Sequence, residues 1–526
     1  MNDSPRLALL SAWDKTGIAE QASILVDLGW TLISTGGTAR NLTDAGLEVI
    51  EITDLTGEPE RFDGRVKTLH PAIHASILAR RGVSSDMDEL ARSSWVPIDL
   101  VHIDLYPFND HSEMVPLTEA IELIDIGGVA LLRAAAKNHV DVLVSCKPSI
   151  LSSIVAELSE INGDPTHIDV QRRMELAALA FTTTTAHDAA ITDRLWRELD
   201  PEPQNRPMLF VTDPIESLRY GENPDQGASR HSILSPPSLS DGFTSLMKQH
   251  SGGPLSYNNL LDLEAAVGLA RGISGHAESL VGCVIIKHNN PCGVAVAPTA
   301  EEAWLHALAS DEESAFGCVV AFTSRIDIAT SECIADHFVE VIIAPSIEES
   351  ALQHLSRKER RRIITLDESM GKGLASSIQF RSIEGSLLVQ QPLNVHETNQ
   401  FHCVGKIEFT GIDDVSFGLG MAVTKWTSSN CIVLTDGYST VGIGPGQTSR
   451  VEAARIAIRR AGDKSKGSIM WSDAFLPFPD TVEIAAEAGV AAIVQPGGSI
   501  RDELVTETAD RLGVAMIHTG RRLFRH

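Results

Sequence analysis

The sequence predicts an α/β protein whose first third forms a parallel sheet and whose remainder forms further α/β units. Short apolar runs at 7–11, 30–33 and 48–52 alternate with segments of helical spacing, which is the βαβαβ pattern of a parallel sheet. Gly29 and Gly46 follow the two intervening helices, where glycine commonly ends a helix. A length of 526 residues, 43% of them apolar and 21% charged, provides core for about three domains.

Charge and cysteine content narrow the class of protein. The formal net charge of −27 argues against a general binder of nucleic acid or of anionic membranes, because phosphate backbones require a basic face. The seven cysteines are scattered and odd in number, as is typical of free thiols in a reducing compartment. The N-terminus lacks a signal-peptide pattern, and no apolar stretch approaches a membrane-spanning length. We therefore expect a cytoplasmic protein with no nucleic-acid or membrane partner.

Two strand-to-helix turns in the first region have the composition of anion sites. The first carries Lys15 and Thr16, and the second, at 34–38, reads Ser-Thr-Gly-Gly-Thr. Backbone N–H groups at a helix N-terminus favour a phosphate, and glycines allow its close approach. Neither turn is a complete Walker A loop or a G-x-G-x-x-G motif. Ordinary helix capping by Thr16 and Thr38 is the alternative explanation.

Further polar residues lie at the ends of elements in the same region. A basic loop at 64–71 includes Lys67, Tyr106 ends an apolar strand, Asp125 precedes a helix, and Lys137 ends that helix. Each has an ordinary explanation, such as a helix-entry acid or a cation at a helix C-terminus. Their accumulation in one α/β unit favours a site.

The region boundaries follow from composition. Residues 171–199 have helical spacing, and residues 200–207 contain three prolines, which is typical of a linker. We predict a first domain at 1–199, a linker at 200–207 and a second domain at 208–526, itself divided into two subdomains near residue 375.

The most informative stretch of the second region is 284–296. It begins as a buried parallel strand, places Lys287 and His288 at the strand's carboxyl end, and continues as a turn-rich loop at 289–293. Ligands bind at the carboxyl ends of strands in open α/β sheets. There a cation stabilises developing negative charge while an imidazole moves a proton. A surface Lys-His pair is the alternative.

A glycine-rich turn in this region has the features of an anion site, and another stretch imitates a metal site. Asn430 lies at the start of a strand, and a glycine-rich turn at 441–447 leads into a helix with Arg450 in its first turn. Residues 276–278 and 291–292 imitate a zinc deaminase signature, but Ala295 stands where the last cysteine ligand belongs. A catalytic zinc needs three protein ligands, so we predict no metal site.

The ordered motifs, taken together, identify a family. The chain resembles the bifunctional AICAR (phosphoribosylaminoimidazolecarboxamide) formyltransferase/IMP cyclohydrolase family of purine biosynthesis over nearly its full length. The matching stretches are SAWDKTG, STGGTA, GRVKTLHP, LYPF, IDIGG, LLRAAAKNH, RYGENP, KHNNPCG, SAFG, SSN, GIGPGQTSR, SDAFLPF and RLFRH.

The resemblance implies a fold, substrates and an assembly. It implies a methylglyoxal-synthase-like parallel-sheet domain followed by a transformylase region of two cytidine-deaminase-like subdomains. It implies 10-formyltetrahydrofolate as co-substrate and AICAR, formyl-AICAR and IMP as the other small molecules. It further implies a homodimer with the transformylase site at the interface, no catalytic metal and a structural monovalent cation.

The resemblance also assigns roles in formyl transfer. Lys287, His288 and Asn430 would catalyse the step, with His288 taking a proton from the AICAR amine. AICAR and folate would be held by a second set of residues: Arg219, Tyr220, Gly317, Arg450, Phe478 and Arg522.

In the first domain the implied reaction is ring closure with loss of water. Tyr106, Asp125 and Lys137 would handle protons, and Lys67 would join them in catalysis. The nucleotide would be held by Ser11, Lys15, Thr16, Ser34, Thr35, Gly36, Gly37, Thr38, Arg65 and Thr68.

Some points stay open at the level of sequence. Asp225, Cys318 and Glu340 depart from the family pattern. A regulatory nucleotide-binding protein on the same folds is one rival, and a chain with only one of the two activities is another.

Overall fold

A computed structural model describes residues 5–62, 64–108, 112, 114–200, 202–235, 243–276, 279–366, 379–393 and 401–526. The chain divides into two compact units, Met1–Asp213 with Ser232–Ser240, and Pro214–His231 with Asp241–His526. The predicted subdomain division near residue 375 lies outside the described residues. Within the described part, no helix is long and apolar enough to cross a membrane.

The first unit contains a five-stranded sheet of order β3-β2-β1-β4-β5. All four neighbouring pairs are parallel, which confirms the predicted parallel sheet. The strands are β1 Arg6–Ala12, β2 Trp30–Ser34, β3 Val49–Glu51, β4 Leu100–Asp104 and β5 Leu143–Ser145. The third strand is shorter than predicted because Ile52 is buried as the first residue of a helix.

Helices cover this sheet, and their apolar faces meet it in one core. They are α1 Ile18–Asp27, α2 Gly36–Asp44, α3 Ile52–Thr56, α4 Pro71–Leu78, α5 Ser84–Arg92, α6 Leu117–Glu122, α7 Gly127–Lys137, α8 Pro148–Glu160 and α9 Val170–Leu199. The core joins Leu9 and Val101 of the sheet to Leu25, Leu131 and Ile154 of three helices. The predicted helix at 171–199 is confirmed, and the Asp169 side chain caps its start by accepting from the Gln171 N–H at 2.6 Å.

His102 makes this core sensitive to acid. Its ring is 1% exposed, and Nδ1 lies 2.9 Å from the Ser145 hydroxyl. Burial lowers the pKa of His102 from 6.5 to about 4. Between those pH values the unfolded chain therefore binds a proton that the folded chain does not, so stability falls as the pH falls.

We expect His102 to contribute a decrease of about 3 kcal/mol in the free energy of unfolding as the pH is lowered from 6.5 to 4. Urea titrations of the wild type and of His102→Gln at several pH values in this range give the free energy of unfolding of each protein. The change with pH in the difference between the two free energies measures the contribution of His102. A wild type and variant whose unfolding free energies change in parallel would contradict the assignment.

The second unit contains two six-stranded mixed sheets. Their orders are β10-β9-β11-β12-β13-β8 and β16-β21-β20-β19-β17-β18, and β14-β15 forms a two-stranded sheet. A further two-stranded sheet, β6-β7, has residues of both units. The strands are β6 Val211–Leu218, β7 Ala228–Ser235, β8 Met247–Ser251, β9 Val281–Lys287, β10 Asn290–Ala297, β11 Cys318–Phe322, β12 Val339–Ala344, β13 Arg362–Leu366, β14 Gln379–Ile383, β15 Ser386–Gln390, β16 His402–Cys403, β17 Ile432–Thr435, β18 Thr440–Gly444, β19 Ile469–Ser472, β20 Ala492–Gln495 and β21 Ala515–His518.

One core connects the two large sheets. It includes Ile286 from the first sheet, Trp471 and Ile517 from the second, and Leu263 and Phe417 from two helices. The helices of this unit are α10 Phe243–Leu246, α11 Tyr257–Ser274, α12 Ala300–Leu308, α13 Ile328–Ala335, α14 Glu349–Leu355, α15 Asp414–Trp426, α16 Arg450–Ala461, α17 Asp480–Glu487 and α18 Asp502–Leu512.

The stretch 284–296 differs from its prediction. β9 pairs with both of its neighbours, β10 and β11, in the antiparallel sense, and the predicted loop at 289–293 is largely strand β10. The connection needs only two residues because His288 and Asn289 both adopt positive φ, 51° and 60°. A register shift between Pro291 and Gly293 accommodates the proline within the pairing. Lys287 and His288 therefore lie at the tip of a tight hairpin.

Candidate functional site

The first candidate site lies at the carboxyl edge of the five-stranded sheet, where β1 and β2 end. The Ser34 hydroxyl donates to the Leu10 carbonyl at 2.7 Å, and the Thr38 hydroxyl accepts from the Ala12 N–H at 3.0 Å. Both side chains are buried. They hold the turn in place, and this leaves the start of α2, with Gly36 and Gly37, as the surface that faces outward from the strand ends.

Two lysines converge on these glycines. A methyl group placed on Gly36 would lie 3.1 Å from Lys67 Nζ, and one on Gly37 would lie 3.2 Å from Lys15 Cε. Gly36 has a φ of 56°, a conformation that side chains rarely adopt. Lys15 Nζ donates to the Trp13 carbonyl at 3.2 Å, and Lys67 pairs with Glu60 at 3.0 Å. Two ammonium groups at a helix N-terminus form an anion cradle.

The Thr35 hydroxyl is a further polar group beside these two lysines, and it can still form a hydrogen bond. Among the described residues, its hydroxyl is one of the buried side-chain oxygens without a hydrogen-bond partner. A buried hydroxyl without a partner is costly, so a ligand oxygen at this position would satisfy it. Ser11 precedes the last residue of β1, and Thr16 is exposed with its N–H donating to Asp14 at 2.9 Å. Arg65 lies on the surface, paired with Glu122 at 3.1 Å.

The predicted proton-handling residues are partly brought together. Asp125 accepts from the Gly128 N–H at 2.7 Å, which places its carboxylate at the start of α7. Gly127 packs against the Thr68 hydroxyl, so the Lys67-Thr68 segment lies beside the same helix start. The Tyr106 ring meets Trp13 edge to face, with centroids 4.0 Å apart. Asp125, Thr68 and Lys67 thus share one edge of the sheet with the anion cradle.

Lys137 lies elsewhere in this chain. It is the last residue of α7, ten residues after Gly127, which is ~15 Å along the helix axis. β5 starts six residues after Lys137, so the lysine lies at the amino edge of the parallel sheet. The fold therefore separates Lys137 from Asp125, although both lie at helix ends as the sequence predicted.

His187 is a residue of this site that sequence reasoning missed. It lies on α9 with 7% exposure, and its ring meets Phe108 with centroids 6.0 Å apart. Its Nε2 is buried and has no hydrogen-bond partner among the residues that the structure describes. Burial lowers the pKa of His187, and the negative charge of nearby Asp125 opposes that shift. A histidine on the apolar face of a long helix was the available signal.

The second candidate site is built on the hairpin tip between β9 and β10. Lys287 Nζ donates to the carbonyls of Phe316 at 2.8 Å and Gly317 at 2.9 Å. Gly317 has a φ of 69°, which points its carbonyl and that of its neighbour toward the lysine without steric conflict. The His288 side chain is exposed at the same tip. An ammonium with a fixed position thus neighbours an accessible imidazole.

Asp262, on α11, was not anticipated. Its carboxylate accepts from the Asn289 N–H at 2.6 Å, and this places a carboxylate directly under the turn. Burial raises the pKa of Asp262, while that hydrogen bond and the charges of His288 and Lys287 lower it. The sequence around Asp262 does not indicate which group its carboxylate will bind, because the Asn289 N–H is distant in the chain.

Asn430 and Arg450 are in direct contact. Arg450 Nη2 donates to Asn430 Oδ1 at 2.7 Å and to the fully buried Asp473 carboxylate at 2.9 Å. Asn430 Nδ2 donates to the Gln447 carbonyl at 2.9 Å and, more weakly, to that of Thr448 at 3.4 Å. The side chain of Asn290, next to the His288 turn, accepts from the Ser428 N–H at 2.9 Å. The Asn290–Ser428 hydrogen bond therefore connects the His288 hairpin to the segment that carries Asn430.

The remaining predicted residues sit in aromatic contacts. The Arg219 guanidinium lies over Tyr220 at 5.5 Å, Arg501 over Phe478 at 4.5 Å, and Arg522 over Phe524 at 5.1 Å. Phe478 is 48% exposed. Within the described residues, no hydrogen bond or ion pair joins Arg219, Tyr220, Phe478 or Arg522 to the Lys287-His288 tip.

The three departures from the family pattern have separate environments. Cys318 is fully buried in β11, where burial raises the pKa of its thiol to about 12. Glu340 pairs with Arg362 at 3.1 Å, and Asp225 is exposed.

Among the described residues, no group of three or more His, Cys, Asp or Glu side chains is placed to hold a metal ion.

Comparison with known proteins identifies the family. The model of the MGS-like domain matches residues 17–130, and that of the AICARFT/IMPCHase bienzyme matches residues 135–460. Curated relatives named bifunctional purine biosynthesis protein PurH align over nearly whole chains. The Bacillus subtilis relative is 42% identical over 524 residues, covering 99% of each chain, and that of Acetivibrio thermocellus is 41% identical over 525 residues, again covering 99% of each.

The relative from Chloroflexus aurantiacus is 43% identical over 525 residues, covering 99% of this chain and 98% of its own. The expected resemblance is thereby confirmed at the level of the whole chain, and so is the α/β fold class with an MGS-like N-terminal domain. The chain belongs to the AICARFT/IMPCHase bienzyme family, the bifunctional AICAR formyltransferases and IMP cyclohydrolases of purine biosynthesis.

Proposed function

We propose that the two activities are divided along the chain, with IMP cyclohydrolase in residues 1–199, a linker at 200–207 and AICAR formyltransferase in residues 208–526, whose two subdomains divide near residue 375. Each candidate site described above lies within one of these regions. The contact of Lys287 with the Phe316 and Gly317 carbonyls, beside an exposed His288, is the observation that carries the formyltransferase assignment.

In the formyl transfer that we propose, the AICAR amine attacks the formyl carbon of 10-formyltetrahydrofolate. His288 accepts the proton that the amine loses as the C–N bond forms. An ammonium has three N–H donors, and two of those on Lys287 already point at carbonyls. The third is available to the formyl oxygen, where negative charge develops as the amine adds. The bond between the formyl carbon and N10 then breaks, and N10 takes the proton that His288 received, so that tetrahydrofolate leaves neutral.

Asn430 and Arg450 support the same step. The Asn430 N–H that makes the longer bond to Thr448 is the one that a substrate oxygen displaces at least cost. Arg450 holds the Asn430 oxygen and so fixes which end of the amide faces the substrate. Gly317, Arg219, Tyr220 and Arg522 are proposed to contact AICAR, and the exposed Phe478 ring to stack on the folate.

In the cyclisation that we propose, the carboxamide nitrogen of formyl-AICAR attacks the formyl carbon, and water leaves to give IMP. The phosphate is held at the start of α2 by backbone N–H groups, Thr35, Lys15 and Lys67. Asp125 and Tyr106 serve proton transfer, and holding the substrate in a reactive pose supplies much of the acceleration. Ser11, Thr16, Ser34, Thr38, Arg65 and Thr68 complete the binding turn and its rim.

We also propose a homodimeric assembly and a cytoplasmic location. A homodimer follows from the family resemblance, and a cytoplasmic location accords with seven cysteines that are all free thiols. A structural monovalent cation stays a prediction. The buried Asp473, the nearest anionic group to Asn430 and Arg450, is already neutralised by Arg450, so we derive no step through a cation.

A coupled assay tests the proposal. We expect the purified protein, given AICAR and 10-formyltetrahydrofolate, to release tetrahydrofolate and form IMP in equal amounts at steady state. Tetrahydrofolate is followed by absorbance and IMP by chromatography. Release of tetrahydrofolate without IMP would show that only the transferase activity is present. Formation of IMP only when formyl-AICAR is added would show that only the cyclohydrolase activity is present. If neither tetrahydrofolate nor IMP forms, the result would favour a regulatory binding protein.

A further inference from the structure

The backbone that carries His288 needs external support. His288 and Asn289 both have positive φ, 51° and 60°. Positive φ is uncommon for any residue other than glycine, and turns that need it at both central positions usually carry glycine at one of them, which this turn lacks. A conformation of this kind persists where the surroundings determine it by several contacts.

Arg525, the penultimate residue of the chain, makes the most extensive of these contacts. Its Nη1 donates to the Asn289 carbonyl at 2.8 Å, and its Nη2 donates to the Asn289 side-chain oxygen at 2.9 Å. The planar guanidinium thus grips both oxygens of one turn residue in a forked arrangement. From below, Asp262 accepts from the Asn289 N–H at 2.6 Å. The turn is held from two sides.

The same arginine also contacts the segment that leads to Asn430. Nη1 donates to the carbonyl of Trp426, the last residue of α15, at 2.5 Å, and the guanidinium lies over the Trp426 ring at 5.0 Å. The backbone of Arg525 exchanges two bonds with Ser429, one to the Ser429 hydroxyl at 3.0 Å and one from the Ser429 N–H at 2.8 Å. Ser429 is the neighbour of Asn430.

We propose that Arg525 is a positioning residue for formyl transfer, which fixes the His288 turn and the Asn430 segment relative to each other. The inference rests on the proposed roles of His288 and Asn430. It assigns a function to the end of the chain, beyond Arg522. Small displacements of catalytic groups slow a reaction strongly. Loss of the two hydrogen bonds from the Arg525 guanidinium to Asn289 should therefore lower kcat more than it weakens substrate binding.

The test compares Arg525→Ala, Arg525→Lys and the neighbouring control His526→Ala. We expect Arg525→Ala to lower kcat for formyl transfer by about ten- to a hundredfold, with KM values within about threefold of wild type. Arg525→Lys keeps the charge without the fork, so it should recover only part of the rate. Added guanidinium should raise the rate of Arg525→Ala and leave that of His526→Ala unchanged. Cyclisation of formyl-AICAR should stay at the wild-type rate in all three.

Several results would overturn the inference. They are a kcat of Arg525→Ala close to wild type, full recovery by lysine, or parallel losses of both activities, which would indicate a general role in folding. If Arg525→Ala fails to fold, Arg525→Lys with its melting temperature and kcat decides alone. Absence of formyl transfer in the wild type would contradict the proposed function instead, so the two failures are distinguishable.

Discussion

We expect His288→Ala to lower the rate of formyl transfer by about 10²- to 10⁴-fold while cyclisation of formyl-AICAR continues at the wild-type rate. This range is the usual contribution of a positioned general base. The AICAR amine is a weak nucleophile, because the ring and the carboxamide withdraw its lone pair, so removal of its proton during attack is essential. Single-turnover measurement of tetrahydrofolate release checks the prediction.

The control for this variant is His306→Ala. His306 is another exposed histidine, in the last turn of α12, and no role in catalysis is assigned to it. Its substitution should leave both rates unchanged. Near-normal transfer by His288→Ala would remove the base assignment, and equal losses in the two histidine variants would trace the effect to stability.

For the other activity, we expect Asp125→Asn to slow cyclisation by about 10²- to 10⁴-fold and leave formyl transfer intact. The amide oxygen of asparagine can still accept from the Gly128 N–H, whose bond to Asp125 measures 2.7 Å, so the start of α7 keeps its cap. The variant should therefore accumulate formyl-AICAR when it is supplied with AICAR and 10-formyltetrahydrofolate. Chromatography of the products measures that accumulation.

Asp44→Asn, at the exposed end of α2, is the matched control and should cyclise normally. Lys137→Ala belongs in the same series, since α7 places Lys137 at the opposite edge of the sheet. An unchanged rate removes Lys137 from the mechanism, and a large loss assigns it to the site of a second copy. Wild-type cyclisation by Asp125→Asn would contradict the role of Asp125.

The parallel sheet of the first unit could be predicted because its signals are local. Strand, turn, helix and glycine follow one another within about twenty residues, and each choice agrees with its neighbours. The hairpin at His288 could not be predicted from the sequence. Whether a strand pairs in the parallel or antiparallel sense depends on partners such as Cys318–Phe322, which lie more than thirty residues away in the chain.

The candidate site residues show the same contrast. Their chemical types, among them Lys287-His288, Asp125 and the Gly36-Gly37 turn, are readable as motifs. Their hydrogen-bond partners are not readable in this way: the Ser34 and Thr38 hydroxyls, in the turn proposed to bind the nucleotide, bond to β1. Hydrogen-bond partners distant in sequence decide which side chains remain available to a ligand.

By itself, the sequence determined the α/β class, the family and the chemical groups that each reaction requires, because these depend on local pattern and on residue type. Only the tertiary structure decided how those groups are held. It brought the end of the chain, at Arg525, to the turn of His288, and it separated Lys137 from Asp125 along one helix. Both outcomes depend on long-range packing, whose partners no single stretch of sequence contains.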